Sequence, residues 1–381
     1  MATAERYIFR TAAMTFLAGL FVLTAMIWVT QALREIDLMT GKGQTILVFL
    51  HLTLMTIPSL MFILAPVALL IAVIFTLNRL NSDSELIVMS AAGMPPGRLL
   101  RPFFLLSILV MAFVAIISLW AMPTSFRSIR DLITKIRADV LTRIIREGQF
   151  TTLDQGFVFH YRERGPGGAL MGIFIQDRRD AERINTYIAE SGITVENGAQ
   201  SFLILEKGSL QRQSKGDRDP AIVQFERYAI DLAQFGSEGI GAPLKPREWL
   251  TGELLRMDRS DKYVAANYGR FRAELHDRFT GPLYAIVMAL IAFACLGQPR
   301  TTRQGRGYAI GLAIVLAAAV RAAGFTVSGL IGRSPSLTPL AYLIPLLAIA
   351  AAFVAIFWPH LLRLPRFGKS PARAAPSGAA A

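Results

Sequence analysis

The sequence has one cysteine, Cys295, and it sits inside an apolar run, so no intrachain disulfide can form and oxidation is not a structural device. Histidine is almost as scarce. His51 lies in an apolar run, His160 in an alternating stretch and His276 in a helical one, a scatter that does not make a metal site. No G-x-x-x-x-G-K followed by Ser or Thr occurs, which excludes a P-loop and ATP hydrolysis by this chain itself. The apolar runs hold no nucleophile-base pair. Charge is thin as well: 18% of the 381 residues are charged while 53% are hydrophobic, and the mean hydropathy is +0.44. A chain this long with that balance is a membrane protein.

What charge there is has one dominant sign. The net charge is +13 and the pI about 10.3, a balance that in a soluble protein would point to nucleic acid. Its placement excludes that partner. The segments assigned to the cytoplasmic side, among them Arg6, Arg10, Arg79, Arg98, Arg101, Arg300, Arg303, Arg306 and the tail from Arg363, carry twelve basic residues against Glu5, Asp83 and Glu85. This is the positive-inside bias that orients a polytopic protein, and no base-reading or phosphate-tracking motif accompanies it.

Six apolar runs are long enough to span a bilayer. Thr11 to Leu33 is free of charge for 23 residues, about 34 Å of helix. A removable signal peptide is excluded by that length and by the want of a small-residue cleavage site. Gly43 to Asn78 is longer than one span needs, and Pro58 and Pro66 predict a crossing near 56–77 preceded by an interfacial helix. Further spans are predicted at 102–121, 279–298, 307–331 and 340–358. The domain plan is therefore 1–121 with three spans and a short helix at 82–93, an aqueous domain over 122–278, three spans over 279–362, and a basic, Ala/Pro/Gly-rich tail over 363–381 that reads as disordered.

Residues 122–278 differ in character, with 24 basic and 22 acidic side chains and no spanning run. Period-two alternation at 156–162, 169–177, 184–190, 201–208 and 221–232, punctuated by turn signals, predicts an antiparallel β-sandwich or jelly roll. Flanking stretches 125–146 and 247–277 read as helical stalks. The fold class is an α-helical membrane protein with six transmembrane helices and an inserted antiparallel, jelly-roll-like β domain.

The segment from Arg79 to Arg101 is the most informative. Ser82 suits an N-cap with Glu85 completing a capping box, Gly93 suits the C′ stop, and Pro95 and Pro96 forbid continuation. The enclosed helix is too apolar all round to lie free in water, so it needs a partner groove. Leu86 and Met89, three apart, share a face and are the expected anchors, and Arg79 could pair with the acidic patch or serve as an interfacial anchor. Such a piece suits a coupling helix that hands membrane helices the motion of a separate ATPase.

The runs APVALLIAVIFTLNRLNSDSELIVMSAAGM (65–94), RYIFR (6–10), AELHDRFTGPLYAIV and GQPRTTRQGRG (273–307) resemble the LptF/LptG, or YjgP/YjgQ, family of lipopolysaccharide export permeases, and the opening and coupling segment lie nearer the LptF branch. The resemblance covers essentially the whole chain. It implies a heterodimer with an LptG-type paralogue, an LptB-type ATPase dimer beneath that uses the ATP, an LptC and LptA bridge, and lipopolysaccharide as cargo. It also implies an inner-membrane location with both termini cytoplasmic and the β domain periplasmic. Ala65 before Pro66 departs from the family's common Leu-Pro.

By the same resemblance Glu85 matches the acidic position that meets the ATPase, and Arg34 a basic position that grips substrate phosphates. Arg34 also runs against the positive-inside trend, although snorkelling explains many span-end arginines. Arg321 is a signal from the residues alone: 14 positions after Gly307, it falls about 21 Å into the hydrocarbon, where a charge needs a cavity or a partner. Alternatives are the LptG-type role, export of another envelope lipid, or a membrane-anchored scaffold. A scaffold has no use for the capped apolar helix.

Overall fold

A computed structural model describes residues 3–34, 46–143, 147–154, 156–165, 168–180, 183–197, 200–214, 221–231, 243–298 and 303–358. The loop after Arg34 and the tail from Arg363 lie outside them. The chain divides into two compact units. One comprises Met1–Ala25, Met61–Ser118 and Gly269–Ala381, and the other Met26–Leu60 and Leu119–Tyr268.

The helices are α1 (Thr3–Arg34), α2 (Ile46–Leu54), α3 (Ile57–Ser82), α4 (Glu85–Ala91), α5 (Pro96–Ile116), α6 (Met122–Arg143), α7 (Thr251–Leu255), α8 (Lys262–Thr280), α9 (Leu283–Leu296), α10 (Arg303–Ile331) and α11 (Thr338–Phe357). Among the described residues five stretches are long and apolar enough to cross a membrane: Thr3–Arg34, Ile46–Ser82, Pro96–Ile133, Gly307–Ile331 and Pro335–Phe357. The pair α8 and α9, bent by 48°, is a sixth when taken as one span. The bend has a local cause. Pro282 offers no backbone N–H, and at Gly281 the amide donates back to the Asp277 carbonyl at 2.8 Å.

In the first unit α9 is the core. Tyr284, Ala285, Val287 to Phe293, Cys295 and Leu296 are all buried, and α5, α10 and α11 pack around it. The Phe103 and Phe293 rings meet at 5.9 Å. Helix α1 instead buries a single stripe, Glu5, Ile8, Ala12, Phe16, Leu20 and Thr24, at helical spacing. Met14, Leu17 and Phe21 on its other sides are largely exposed, as suits a helix bathed in lipid or covered by another subunit.

Among the described residues the second unit carries seven strands in one antiparallel sheet: β1 (Thr151–Asp154), β2 (Phe157–His160), β3 (Glu163–Arg164), β4 (Leu170–Asp180), β5 (Arg183–Asn197), β6 (Gln200–Ser214) and β7 (Ala221–Asp231). Their order is β1-β2-β4-β5-β6-β7, with the two-residue β3 paired to β4. Its apolar face buries Phe157, Phe159, Tyr161, Ile173, Ile175, Ala189, Leu203, Leu205 and Ile230. Strand β1 carries no alternation signal in the sequence, and β4, β5 and β6 each run well past their alternating stretches.

One row of this sheet breaks the pleat. Pairing runs Ile173↔Ala189 and Met171↔Ser191, Ala189↔Gly208 and Ser191↔Glu206, Gly208↔Phe225 and Glu206↔Arg227, so Gly172, Glu190, Lys207 and Glu226 are passed over in line. The gap between β2 and β3 extends the same row. Across it, inward positions are three residues apart instead of two: Leu170 to Ile173, Ala189 to Gly192, Leu205 to Gly208, Phe225 to Tyr228. Gly172 at φ 65° and Lys207 at φ 49° supply the left-handed backbone this requires. A one-residue offset normally turns a strand inside out. Here four strands take it together, and the same face stays apolar on both sides of a crease.

The stalks differ from simple rods. A π-helical turn at Ile117–Ala121 joins α5 to α6, and the return segment is broken into a 3₁₀ turn at Pro246–Glu248, then α7 and α8. Arg127 with Glu253 and Arg130 with Glu248, each at 2.5 Å, tie α6 to that return. Both glutamates also accept a backbone N–H, from Leu250 and Lys245, at 2.9 Å. Before α8, the Asp258 carboxyl accepts from the Ser260 hydroxyl and amide, which hold its pKa below the ordinary value.

Candidate functional site

Two places collect the residues singled out from the sequence. The first surrounds α4. Helix α3 does not stop before Ser82 but runs through it, with the Asp83 amide donating to Arg79 at 2.9 Å. The expected Ser82 N-cap and its capping box with Glu85 are therefore corrected. The helix begins at Glu85, its N-cap is Ser84 at φ 61°, and no side chain caps it. The physical reason is that one more turn of α3 buries Leu80, 3% exposed, and the half-exposed pair of Arg79 and Asp83, 3.7 Å apart at i and i+4, adds only a little. Ser84 then turns the chain in the left-handed region.

The far end closes as a Schellman motif. Gly93, at φ 78°, donates to the Ser90 carbonyl at 3.0 Å and Met94 donates to Met89 at 3.1 Å. Only seven residues are helical between these ends, less than the predicted 82–93.

The inward face of α4 is the second correction. Leu86 is 1% exposed within this chain, so it is not available to grip a partner as anticipated. It and Met89 line a cavity of about 260 Å³ with Leu99 of α5, Phe293 of α9, and Ile356 and Phe357 of α11. They seat the helix on its own unit. What faces out is Val88, 65% exposed, flanked by Ala91 and Ala92, with Glu85 half-buried at the N-terminal turn. The i, i+3 reading found the pair but could not say toward which body it points.

The second place is Arg321, half-buried on the stripe of α10 that otherwise presents Ala309, Ala313, Ala317 and Gly324 inward. Its guanidinium lies 4.5 Å from the Tyr284 ring centre and 4.1 Å from that of Phe325, and it hydrogen-bonds Tyr284. Asp277 stands within electrostatic range, its Oδ1 accepting from the Ser328 hydroxyl at 3.1 Å. Gly324 makes room: a Cβ there would collide with the Tyr284 hydroxyl. Nearby, His276 Nδ1 and the Tyr342 hydroxyl are 3.0 Å apart, and Arg272 donates to the Ile331 carbonyl at 2.6 Å. Sequence reasoning found Arg321 through its charge and missed Asp277, which sits in a charged stretch that conceals it.

Arg34 is exposed at the last turn of α1. It belongs to the second unit and Arg321 to the first. In the sheet, a depression of about 930 Å³ opens along the crease, with Arg162, Glu190, Lys207 and Glu226 among its lining. On the apolar face, burial and the neighbouring Tyr228 push the Tyr187 phenol up to about 12. Among the described residues no group of His, Cys, Asp and Glu is placed to hold a metal ion.

A helical protein whose chain carries several membrane-length apolar helices, an antiparallel sheet in the sequence between them, and a short helix between two of them has the build of a transporter's permease subunit. The profile "Lipopolysaccharide export system permease LptF/LptG" matches residues 6–359, and the chain belongs to that family. Similar proteins include the lipopolysaccharide export system permease protein LptF of Escherichia coli K12, 23% identical over 75% of this chain and 76% of its own length. The LptF of Shigella flexneri matches equally. Another is protein RP871 of Rickettsia prowazekii, 26% identical over 72% of this chain and 76% of its own length.

Proposed function

We propose that this chain is the LptF-type subunit of an ATP-driven exporter that draws lipopolysaccharide from the inner membrane and hands it to a periplasmic bridge. The observation that carries the reading is α4: a seven-residue helix stopped at both ends, held inward by Leu86, with an apolar outward face that nothing in its own unit covers. An outward Val88 beside Glu85 fits a groove on an LptB-type ATPase dimer, which binds and hydrolyses the ATP. This chain contributes no nucleotide chemistry and needs no cofactor of its own.

The one-sided burial of α1 supports a second permease, an LptG-type paralogue, across the open helix faces. Arg34 and Arg321 supply guanidinium forks for the phosphates of the cargo, and a site of low dielectric strengthens each contact. The creased sheet serves as the jelly-roll-like receiver that passes the cargo toward LptC and LptA. In this reading both termini are cytoplasmic and the sheet is periplasmic.

Photo-crosslinking in cells tests this, with the probe at Arg34 and at Phe225. Energy-dependent adducts with lipopolysaccharide at both positions are the expected result. Their absence at both, with the ATPase still attached, would give the cargo to another lipid.

A further inference from the structure

A proline has no amide proton, so the carbonyl four residues before it loses its helical donor. Pro282 does this to the Arg278 carbonyl. A side chain meets the need: the Ser118 hydroxyl donates to that carbonyl at 3.0 Å, and Ser118 is fully buried. Ser118 belongs to the π-helical turn at Ile117–Ala121, an irregularity of a kind that recurs at functional sites. Its single proton has a second acceptor, the Ala115 carbonyl in the last turn of α5, at 3.2 Å. The hydroxyl can therefore swing from one carbonyl to the other without losing a partner.

The two sides of the break are held differently. Helix α9 is buried almost all round by α5, α10 and α11. Helix α8 is tied to the end of α10: Arg272 donates to the Ile331 carbonyl, Ser328 donates to Asp277, and a Cβ at Gly269 would fall on the Gly332 carbonyl. A change of angle at the break thus moves α8 and that end of α10 while α9 stays in its packing.

We propose that the break at Gly281 and Pro282 is a two-position joint, latched in its bent position by Ser118, about which α8 tilts on α9 and takes the end of α10 with it. Its use, a change of shape during export, rests on the reading of the chain as a permease subunit. With the latch closed, Ser118 serves the Arg278 carbonyl and the 48° bend is held. With the latch open, Ser118 serves Ala115 and the Arg278 carbonyl alone gives up a bond, a difference small enough for each cycle to reverse.

The test uses the full transporter complex in nanodiscs containing purified lipopolysaccharide, with Cys295→Ala and spin labels at Arg270 on α8 and Gln298 just past α9, both exposed. Distances across the break are measured by pulsed electron resonance at rest and with ATP trapped by vanadate, alongside release of lipopolysaccharide under ATP. The wild type is expected to show two distances whose ratio shifts with ATP. Ser118→Ala is expected to move the resting ratio about fivefold toward the longer, less bent distance, the effect of one hydrogen bond. Pro282→Ala supplies the missing amide, so adding Ser118→Ala to it should change nothing.

A single distance throughout the cycle, with lipopolysaccharide still released, overturns the joint. A wild-type ratio in Ser118→Ala, or the same shift with and without Pro282→Ala, overturns the latch. A ratio that shifts with ATP while no lipopolysaccharide is released would fail the permease reading and leave the joint standing. Should Ser118→Ala not assemble, Ser118→Cys keeps the space filled and weakens the donor. It is expected to shift the ratio in the same direction, and an unchanged ratio contradicts the latch.

Discussion

The spanning unit and the sheet keep their apolar faces by opposite means. In the spanning helices the interior backbone groups are satisfied within their own helix, and apolar side chains point in all directions. The exceptions therefore carry the information: Arg321 and Asp277 in one place, the bend at Gly281 and Pro282 in another. In the sheet, alternation assigns each residue to a face, and the exception is a whole row. Gly172, Glu190, Lys207 and Glu226 drop out of the pairing together while the register on either side is unchanged, so the apolar face survives a fold in the sheet. One unit is specified by isolated polar residues in an apolar field, the other by a coordinated fault in a regular pattern.

The sharpest way to break that contrast is at Gly208, where a Cβ would run into the Ile188 carbonyl and the Phe225 ring. Gly208→Leu is expected to cost about 3 kcal/mol and to open the crease. Limited proteolysis of the full chain in membranes would show new cleavage in β5 to β7, with the spanning helices still protected. Wild-type protection would mean that the crease does not depend on close approach there. In the spanning unit, Leu86→Ala is expected to cost about 2–4 kcal/mol locally, whereas Val88→Ala stays within about 0.5 kcal/mol. Amide exchange across 85–92 separates the two, and equal effects would contradict the inward and outward faces of α4.

A pH titration tests the sheet's apolar face. With the Tyr187 phenol raised from 10.0 to about 12, the folded state holds its proton more tightly than the unfolded state. The stabilisation is present in full below pH 10 and is lost as pH rises through about 12. Tyr187→Phe should flatten the protein's unfolding profile in that window, and a profile unchanged by the substitution would show the phenol to be solvated. The smallest effect is expected at Arg79. Its ion pair with Asp83 is half-exposed on both sides, so Arg79→Ala should shift stability by less than about 0.5 kcal/mol in a thermal melt.

Much of the fold is legible in the sequence because bilayer physics is simple: a long charge-free run becomes a helix, as at α1, α5 and α11. Gly93 is legible for a similar reason, since a turn at positive φ suits little else. The errors have a common origin in competition between neighbours. Ser82 is a good cap in isolation, yet the burial of Leu80 carries α3 past it. Leu86 and Met89 are correctly paired on one face, but a three-residue spacing cannot name the body that covers them. The stalk at 247–277 reads as one helix, and Asp258 with Ser260 breaks it. The crease is nearly silent, because its one sequence mark is a three-residue step between inward positions in each of four strands. Asp277 is silent too, as one acid among many in a charged stretch.

The central claim is that the outward face of α4 receives the ATPase. Co-purification of the permease pair with its ATP-binding partner, comparing wild type with Val88→Arg and Glu85→Arg, measures this directly. The account predicts loss of the ATPase in both variants while the permease pair still assembles, because Leu86 keeps α4 folded in its seat. Stoichiometric ATPase on both variants, with ATP-driven release of lipopolysaccharide intact, would contradict it.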